Sequence, residues 1–206
     1  NDCGAEFSRW QGQCSACKAW NTISEVRLIS ASNSTKNDRF SGYAGETRAK
    51  IQTLSEISLQ ETPRFTSGFK ELDRVLGGGI VPGSAILIGG HPGAGKSTLL
   101  LQVMCGLAKN MTALYVTGEE SLQQVAMRAN RLNLPTDKLN MLSETSVEQI
   151  CNLADQLKPQ IIVVDSIQVM HLSDIQSSPG SVAQVRECAS FLTRYAKTRQ
   201  VAIIMV

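Results

Sequence analysis

Residues 90–97 read GHPGAGKS, and this segment constrains the fold of the chain more than any other. An apolar run at residues 84–88 precedes it, and a pattern with helical spacing follows it over residues 96–110. The glycines permit a loop whose successive N–H groups point at one anion, and the following helix adds the positive end of its dipole. The spacing GxxxxGKS between a strand and a helix therefore predicts a phosphate-binding P-loop.

The same motif predicts how a nucleotide is held. Lys96 supplies a mobile positive charge for the β- and γ-phosphates and is also expected to act in catalysis, while the Ser97 hydroxyl suits Mg²⁺. We therefore expect ATP or ADP, with Mg²⁺, as ligands. The predicted nucleotide- and cofactor-binding residues are Gly90, His91, Pro92, Gly93, Ala94, Gly95, Lys96, Ser97, Thr98 and Asp165.

From residue 51 onward, strand-like and helix-like segments alternate along the chain. The predicted strands are residues 84–88, 113–116, 161–164 and 201–206. The predicted helices are residues 96–110, 121–132, a helix that begins at residue 146, and residues 181–198. The sequences SVEQ at 146–149 and SVAQ at 181–184 predict capping boxes. Continuous apolar strands joined by helices predict an α/β fold with a mostly parallel sheet covered on both faces.

Acidic residues follow two of the predicted strands. Asp165 ends the strand IIVVD at the carboxyl edge of the sheet, where it is expected to hold the Mg²⁺ shell with Ser97, mainly through water. Glu119 and Glu120 follow the strand at 113–116, and one of them could orient or deprotonate an attacking water. The alternatives are an acidic strand-end cap for Asp165 and a charged helix start for the two glutamates.

The cysteines fall into two groups. Cys14 and Cys17 form a CxxC knuckle, and Cys3 lies upstream. We predict that Cys3, Cys14 and Cys17 are zinc ligands in most of a four-cysteine ribbon, whose first ligand would precede the first residue. The alternative is a redox pair, but no βαβ pattern surrounds it. The other cysteines stand among apolar neighbours and are predicted to be core residues: Cys105, Cys151 and Cys188.

Composition bounds the class of protein but does not identify a partner. Of the 206 residues, 42% are hydrophobic, and the net charge of +2 is too small to indicate nucleic acid by itself. The sequence shows no bilayer-spanning run and no secretory signal, which favours the cytoplasm and no membrane partner. The predicted organisation is a small ribbon at 1–27, a linker at 28–50 and a nucleotide-binding domain at 51–206. The two ends of the sequence indicate a fragment of a longer protein.

A polar segment at residues 169–180 follows Asp165 closely and ends in SSPG. A long loop beside a nucleotide site is a candidate for contact with a second ligand, and an ordinary connection is the alternative. His171 within this segment is weak evidence for any function.

Several short motifs together resemble the RecA-type ATPase family. They are RFTSGF at 64–69, ELDRVLGGG at 71–79, the P-loop, YVTGEES at 115–121 and VVDS at 163–166. With CG at 3–4 and WQGQCSAC at 10–17, the chain resembles those family members that carry an N-terminal zinc ribbon and act in bacterial DNA repair. The resemblance covers essentially the whole chain.

This resemblance implies a RecA-like P-loop core and a DNA-dependent ATPase that processes recombination intermediates, as a helicase-like motor driving branch migration. It also implies that Glu119 is the catalytic glutamate, that Asp165 is the magnesium-associated aspartate, and that residues 169–180 face DNA. The implied partners are single-stranded DNA, branched recombination intermediates, a homo-hexameric assembly and the RecA recombinase. Family members continue beyond residue 206 into assembly and coupling segments, so such a fragment could bind nucleotide without forming an active ring.

Two other interpretations remain open from the sequence. One is a nucleotide-gated binding or signalling protein, similar to KaiC-type relatives, that does no work on DNA. The other is a P-loop kinase, against which the Glu119 and Glu120 pair and the GGG of residues 77–79 count.

Overall fold

A computed structural model describes Gln13, Cys17, Lys18, Trp20, Thr53, Ser55 and residues 63–206. The chain divides into two compact units, Asn1–Ser41 and Gly42–Val206. In the first unit, Gln13 and Trp20 form an antiparallel bridge, and the Gln13 side chain donates to the Lys18 carbonyl at 2.8 Å. Cys3 and Cys14 lie outside the described residues.

The second unit is built from alternating strands and helices. The helices are α1 (Lys70–Val75), α2 (Lys96–Leu107), α3 (Leu122–Arg131), α4 (Val147–Leu157) and α5 (Val182–Arg199). The strands are β1 (Ala85–Leu87), β2 (Ala113–Thr117), β3 (Asn140–Ser143), β4 (Ile161–Asp165) and β5 (Ala202–Met205). Over the described residues the strands form one parallel sheet in the order β1-β5-β4-β2-β3. The predicted α/β fold class is confirmed.

The sheet is covered on both faces, which explains why its central strands are apolar throughout. In β4, Ile161 to Val164 are at most 1% exposed, because alternate side chains enter opposite cores. One core packs against α4 and α5 and includes Ile150 and Leu192. The other packs against α2 and α3 and includes Leu100 and Val125.

Both cores contain cysteines, as predicted. Cys105, Cys151 and Cys188 are buried. Burial raises the pKa of Cys151 to about 12 and that of Cys188 to about 11, so these thiols stay protonated at neutral pH. They serve as small apolar core residues.

The helix starts differ in part from the sequence expectation. Ser121 forms a complete capping box with Gln124. Ser146 and Ser181 accept from the backbone N–H of Gln149 and Gln184, but in neither case does the glutamine complete a box. The Gln184 side chain is instead buried and bonded to the polar segment before α5. The predicted boxes at 146 and 181 are therefore only half formed.

Two short elements escaped prediction from the sequence pattern. Strand β3 is half-buried and reads NMLS, which lacks an apolar run, and helix α1 has only six residues and buries none of them. Strand β3 gains its place by pairing with β2 rather than from local preference. Among the described helices, none combines the length and apolar character needed to cross a bilayer.

Candidate nucleotide and magnesium site

The P-loop connects β1 to α2, as its spacing predicts. Gly93 and Gly95 adopt left-handed backbone angles, with φ of 79° and 83°. A Cβ built on either glycine would meet nothing within 4 Å, so conformation rather than space requires glycine here. Helix α2 starts at Lys96 without a side-chain cap on its first turn. Its first N–H groups are therefore available to an anion, which fits the phosphates of a nucleotide.

Lys96 folds back over this loop. Its Nζ donates to the Gly90 carbonyl at 2.9 Å and to the His91 carbonyl at 3.0 Å. The ammonium thus stands at the centre of the loop, bonded to neutral oxygens that a phosphate oxygen could replace. Residues 90–95 are exposed, as an accessible ligand site requires.

Asp165 ends β4 and receives one hydroxyl on each carboxylate oxygen. Ser97 Oγ, in the first turn of α2, donates to Oδ1 at 3.1 Å. The Tyr115 hydroxyl, from β2, donates to Oδ2. Burial, reinforced by the Asp165 charge and this hydrogen bond, raises the pKa of Tyr115 far above its usual range, so its proton is retained. The Ser97 hydroxyl and the Asp165 carboxylate form an oxygen donor pair that fits Mg²⁺.

The register of β2 and β4 places Glu119, the candidate catalytic glutamate, at the same edge of the sheet as Asp165. Thr117 at the end of β2 pairs with Asp165 at the end of β4, and Gly118 N donates to the Asp165 carbonyl at 2.8 Å. Glu119 follows directly and is exposed. The Ser166 hydroxyl donates to Glu119 Oε1.

Glu120 has a different environment from its neighbour. Arg128, on α3, reaches Glu120 with both terminal nitrogens, at 3.1 Å from Oε1 and 2.8 Å from Oε2. The Arg128 side chain is 14% exposed and the Glu120 side chain 40%, so the guanidinium is largely buried while the carboxylate is partly open to water. Glu120 therefore serves as the anchor of α3, whereas Glu119 has a single hydroxyl partner among the described contacts. The two adjacent glutamates are chemically distinct.

The polar segment at 169–180 starts beside Gly118, the residue before Glu119. A Cβ on Gly118 would lie 2.5 Å from Val169 Cγ2 and 2.9 Å from Met170 Cε, so only glycine permits this contact. Further along, the buried Gln184 side chain bonds to Leu172 N and to the carbonyls of Leu172, Ile175 and Ser177. The segment therefore packs against Gly118 at its start, and in its middle its backbone is hydrogen-bonded to the Gln184 side chain.

Several residues of this site could not be predicted from the sequence. Tyr115 and Ser166 lie within quoted motifs but read as core and loop residues, and Arg128 reads as a surface residue of an amphipathic helix. A tyrosine in an otherwise apolar strand was the one available signal, because a buried hydroxyl needs a partner. Of the predicted zinc ligands, Cys17 is described and exposed. In the described part of the chain, no cluster of metal-ligating side chains occurs.

Comparison with known proteins agrees with this architecture. Residues 65–206 match the family model "ATPase: KaiC", and residues 1–25 match "Rubredoxin metal binding domain". The chain is 93% identical to the DNA repair protein RadA of Haemophilus influenzae, 71% to that of Escherichia coli K12 and 44% to that of Bacillus subtilis 168. These matches cover 99–100% of the chain and 44–45% of each relative. The chain thus spans less than half the length of these curated relatives.

The matched ATPase region holds the P-loop, Glu119 and Asp165, and the metal-binding match holds all three N-terminal cysteines. The chain therefore belongs to the RadA family of KaiC-type ATPases, with a rubredoxin-type metal-binding segment before the ATPase region.

Proposed function

We propose that the chain binds ATP at residues 90–98 and hydrolyses it, with Glu119 as the group that orients and deprotonates water. The observation that carries this proposal is the meeting of Glu119 and Asp165 at one sheet edge, beside the first turn of α2. A protein that only binds ATP would need the P-loop and Lys96. It would not need a carboxylate that has no cation as partner and can therefore act on water. Among the described residues, Glu119 is such a carboxylate, while Arg128 pairs with Glu120 instead.

Each residue has a distinct role in the proposed reaction. The first N–H groups of α2 and the Lys96 ammonium bind the phosphates, and Lys96 exchanges its bonds with Gly90 and His91 for bonds with phosphate oxygens. Ser97 and Asp165 would hold Mg²⁺, which when bound neutralises charge on the β- and γ-phosphates. Glu119 takes a proton from the water that attacks the γ-phosphate in line, and ADP and inorganic phosphate leave.

The adjacent glutamates provide a matched test in the full-length protein. Glu119→Gln should lower kcat for ATP by about 10²–10⁴-fold, the usual contribution of a general base, with nucleotide affinity nearly unchanged. Glu120→Gln should keep kcat within about threefold of the unsubstituted protein, because its partner is Arg128 rather than water. Equal losses in both variants would exclude the assigned role of Glu119. An intact turnover in Lys96→Ala would exclude the whole site.

We further propose that hydrolysis serves the processing of recombination intermediates in DNA repair, with single-stranded and branched DNA as partners. The support is the name of the relatives, DNA repair protein RadA, and the contact of Gly118 with Val169 and Met170. This contact joins the residue before Glu119 to the start of the loop expected to face DNA. The alternative, a nucleotide-gated signalling ATPase, is supported by the KaiC family match.

Single-stranded DNA separates these two functions. The repair proposal expects that DNA stimulates steady-state ATPase activity and that the full-length protein moves a branch point in a synthetic four-way junction. If DNA does not change the ATPase rate and the branch point does not move, the result favours the signalling ATPase instead. Glu119→Gln is the control, since it should bind DNA and ATP without moving the junction.

The N-terminal segment is proposed to hold zinc through Cys3, Cys14 and Cys17 together with a fourth ligand. The support is the metal-binding match and the antiparallel bridge between Gln13 and Trp20, which stand on either side of the CxxC motif in sequence. Metal analysis of the purified full-length protein should find about one zinc per chain, and Cys17→Ser should lose it.

Three further proposals concern organisation and assembly. They are the division at residues 1–27, 28–50 and 51–206, a homo-hexamer, and the RecA recombinase as a partner. Limited proteolysis, light scattering with ATP and co-sedimentation test these in turn.

A further inference from the structure

Tyr115 is a polar group placed in an apolar core. Its side chain is fully buried, and its neighbours in the core between the sheet and helices α2 and α3 are apolar, among them Leu100, Val125 and Val163. The Tyr115 hydroxyl has one partner in the described residues, Asp165 Oδ2. Packing alone would be satisfied by phenylalanine, so the hydroxyl has a purpose at Asp165.

The sheet register holds this contact in place. Tyr115 pairs with Val163 and Thr117 pairs with Asp165, on neighbouring parallel strands. Paired and alternate residues share a face of a sheet, so Tyr115 and Asp165 point to the same side. Both strands are fully buried up to this point, which prevents the tyrosine ring from moving away.

The hydroxyls of Tyr115 and Ser97 each bond to a different oxygen of the Asp165 carboxylate. Tyr115 engages Oδ2 from the core side, and Ser97 Oγ engages Oδ1 from the P-loop helix. Rotation of the Asp165 carboxylate would break both bonds at once. The oxygen beside Ser97 is therefore kept beside the P-loop, where the proposed Mg²⁺ and nucleotide bind.

We propose that Tyr115 is a positioning residue for magnesium-dependent nucleotide binding, and that it acts by fixing the orientation of the Asp165 carboxylate. This inference rests on the proposed nucleotide site but does not require hydrolysis. Tyr115 itself would touch neither phosphate nor metal, and its effect passes entirely through Asp165.

Tyr195 offers a matched control within the same chain. Its hydroxyl also donates to a carboxylate, Asp155 Oδ1 at 2.8 Å, but it joins α5 to α4. Tyr115→Phe and Tyr195→Phe each remove one oxygen from a tyrosine–aspartate hydrogen bond. Only the first should change the response to magnesium.

The test measures binding of a fluorescent ADP analogue to the full-length protein over a Mg²⁺ titration and in EDTA. Tyr115→Phe should raise the half-saturating Mg²⁺ concentration about tenfold, as expected for a hydrogen bond to a charged group. Its affinity in EDTA should stay within twofold of the unsubstituted protein. Tyr195→Phe should change neither value, and in an Asp165→Asn background Tyr115→Phe should have no further effect.

Several results would overturn the inference. They are an unchanged Mg²⁺ requirement in Tyr115→Phe, an equal shift in Tyr195→Phe, or a full shift that persists when Asp165 is already asparagine. Should Tyr115→Phe fail to fold, Tyr115→Met carries the same expectation, because it also lacks the hydroxyl. Hydrolysis is measured separately, so an unsubstituted protein that binds nucleotide with magnesium but does not turn it over defeats the proposed function alone.

Discussion

The Ser166 hydroxyl donates a hydrogen bond to Glu119 Oε1, although 47 residues separate the two in sequence. Ser166 follows Asp165 directly and is 7% exposed, so the hydroxyl is held at the end of β4. Glu119 follows the neighbouring strand β2. The position of the candidate catalytic carboxylate is therefore set by the strand that carries the candidate magnesium ligand.

Removing this hydroxyl should impair turnover more than binding. In Ser166→Ala we expect kcat for ATP to fall about 3–10-fold with KM within about twofold, because an unrestrained Glu119 spends less time oriented toward water. Steady-state ATPase kinetics of the full-length protein measure both constants. Ser84→Ala is the control, since the Ser84 hydroxyl is buried with no hydrogen-bond partner in the described residues. A kcat unchanged in Ser166→Ala would show that the bond does not position Glu119.

The ion pair between Arg128 and Glu120 should matter for stability. Arg128→Met should lower the free energy of unfolding by about 1–3 kcal/mol, because it leaves the partly buried Glu120 carboxylate without its cation. Urea denaturation measures the change. Arg131→Met, on the exposed side of the same helix, should change stability by no more than about 0.5 kcal/mol. Similar losses in both variants would show that α3 is not anchored by this pair.

Gln184 should hold the candidate DNA-facing segment together. Gln184→Leu removes four hydrogen bonds to the backbone of Leu172, Ile175 and Ser177 and should cost about 2–4 kcal/mol of unfolding free energy. Amide hydrogen exchange should rise across residues 172–177. Gln149→Leu is the control, because Gln149 has the same place after a serine cap but is exposed. Unchanged exchange in Gln184→Leu would contradict the role of the side chain.

Glu144 should make stability depend on pH in the acid range. Hydrogen bonds from the backbone N–H groups of Ser146 and Thr145 lower the pKa of this carboxyl in the folded protein. Because the pKa of Glu144 is lower in the folded than in the unfolded protein, the carboxylate stabilises the fold when the pH is above the unfolded pKa. This contribution is lost as the pH falls through the folded pKa. Glu144→Gln should therefore be less stable than the unsubstituted protein at pH 7, and the difference should shrink below about pH 4.5. Thermal unfolding at pH 3 and pH 7 measures it, and a difference independent of pH would refute the assignment.

Those features of the site whose residues lie close together in the sequence could be predicted from it. The loop, the lysine and the serine of residues 90–97 form one local structure, since helix α2 starts at Lys96 as the motif requires. Strand and helix periods likewise indicated β2, β4 and the helices between them. The strand β3 was missed because its four residues carry no apolar run and gain their place by pairing with β2.

Contacts between distant residues could not be read from the pattern. Glu119 and Glu120 are adjacent residues of the same type. In the described structure they differ in their partners, because Ser166 bonds to Glu119 and Arg128 pairs with Glu120. Gln184 reads as a capping residue, yet the folded loop offers its side chain more hydrogen bonds than the helix start does.

The sequence by itself therefore determined the α/β fold class and the P-loop, because periodicity and motif spacing express local backbone geometry, and it indicated the family through the resemblance of its motifs. The tertiary structure alone decided which side chain holds each of the two glutamates, which hydroxyls orient the Asp165 carboxylate, and how the loop after it is fixed. These contacts join residues up to 68 positions apart, as for Ser97 and Asp165, and arise only when parallel strands bring their carboxyl ends to one edge.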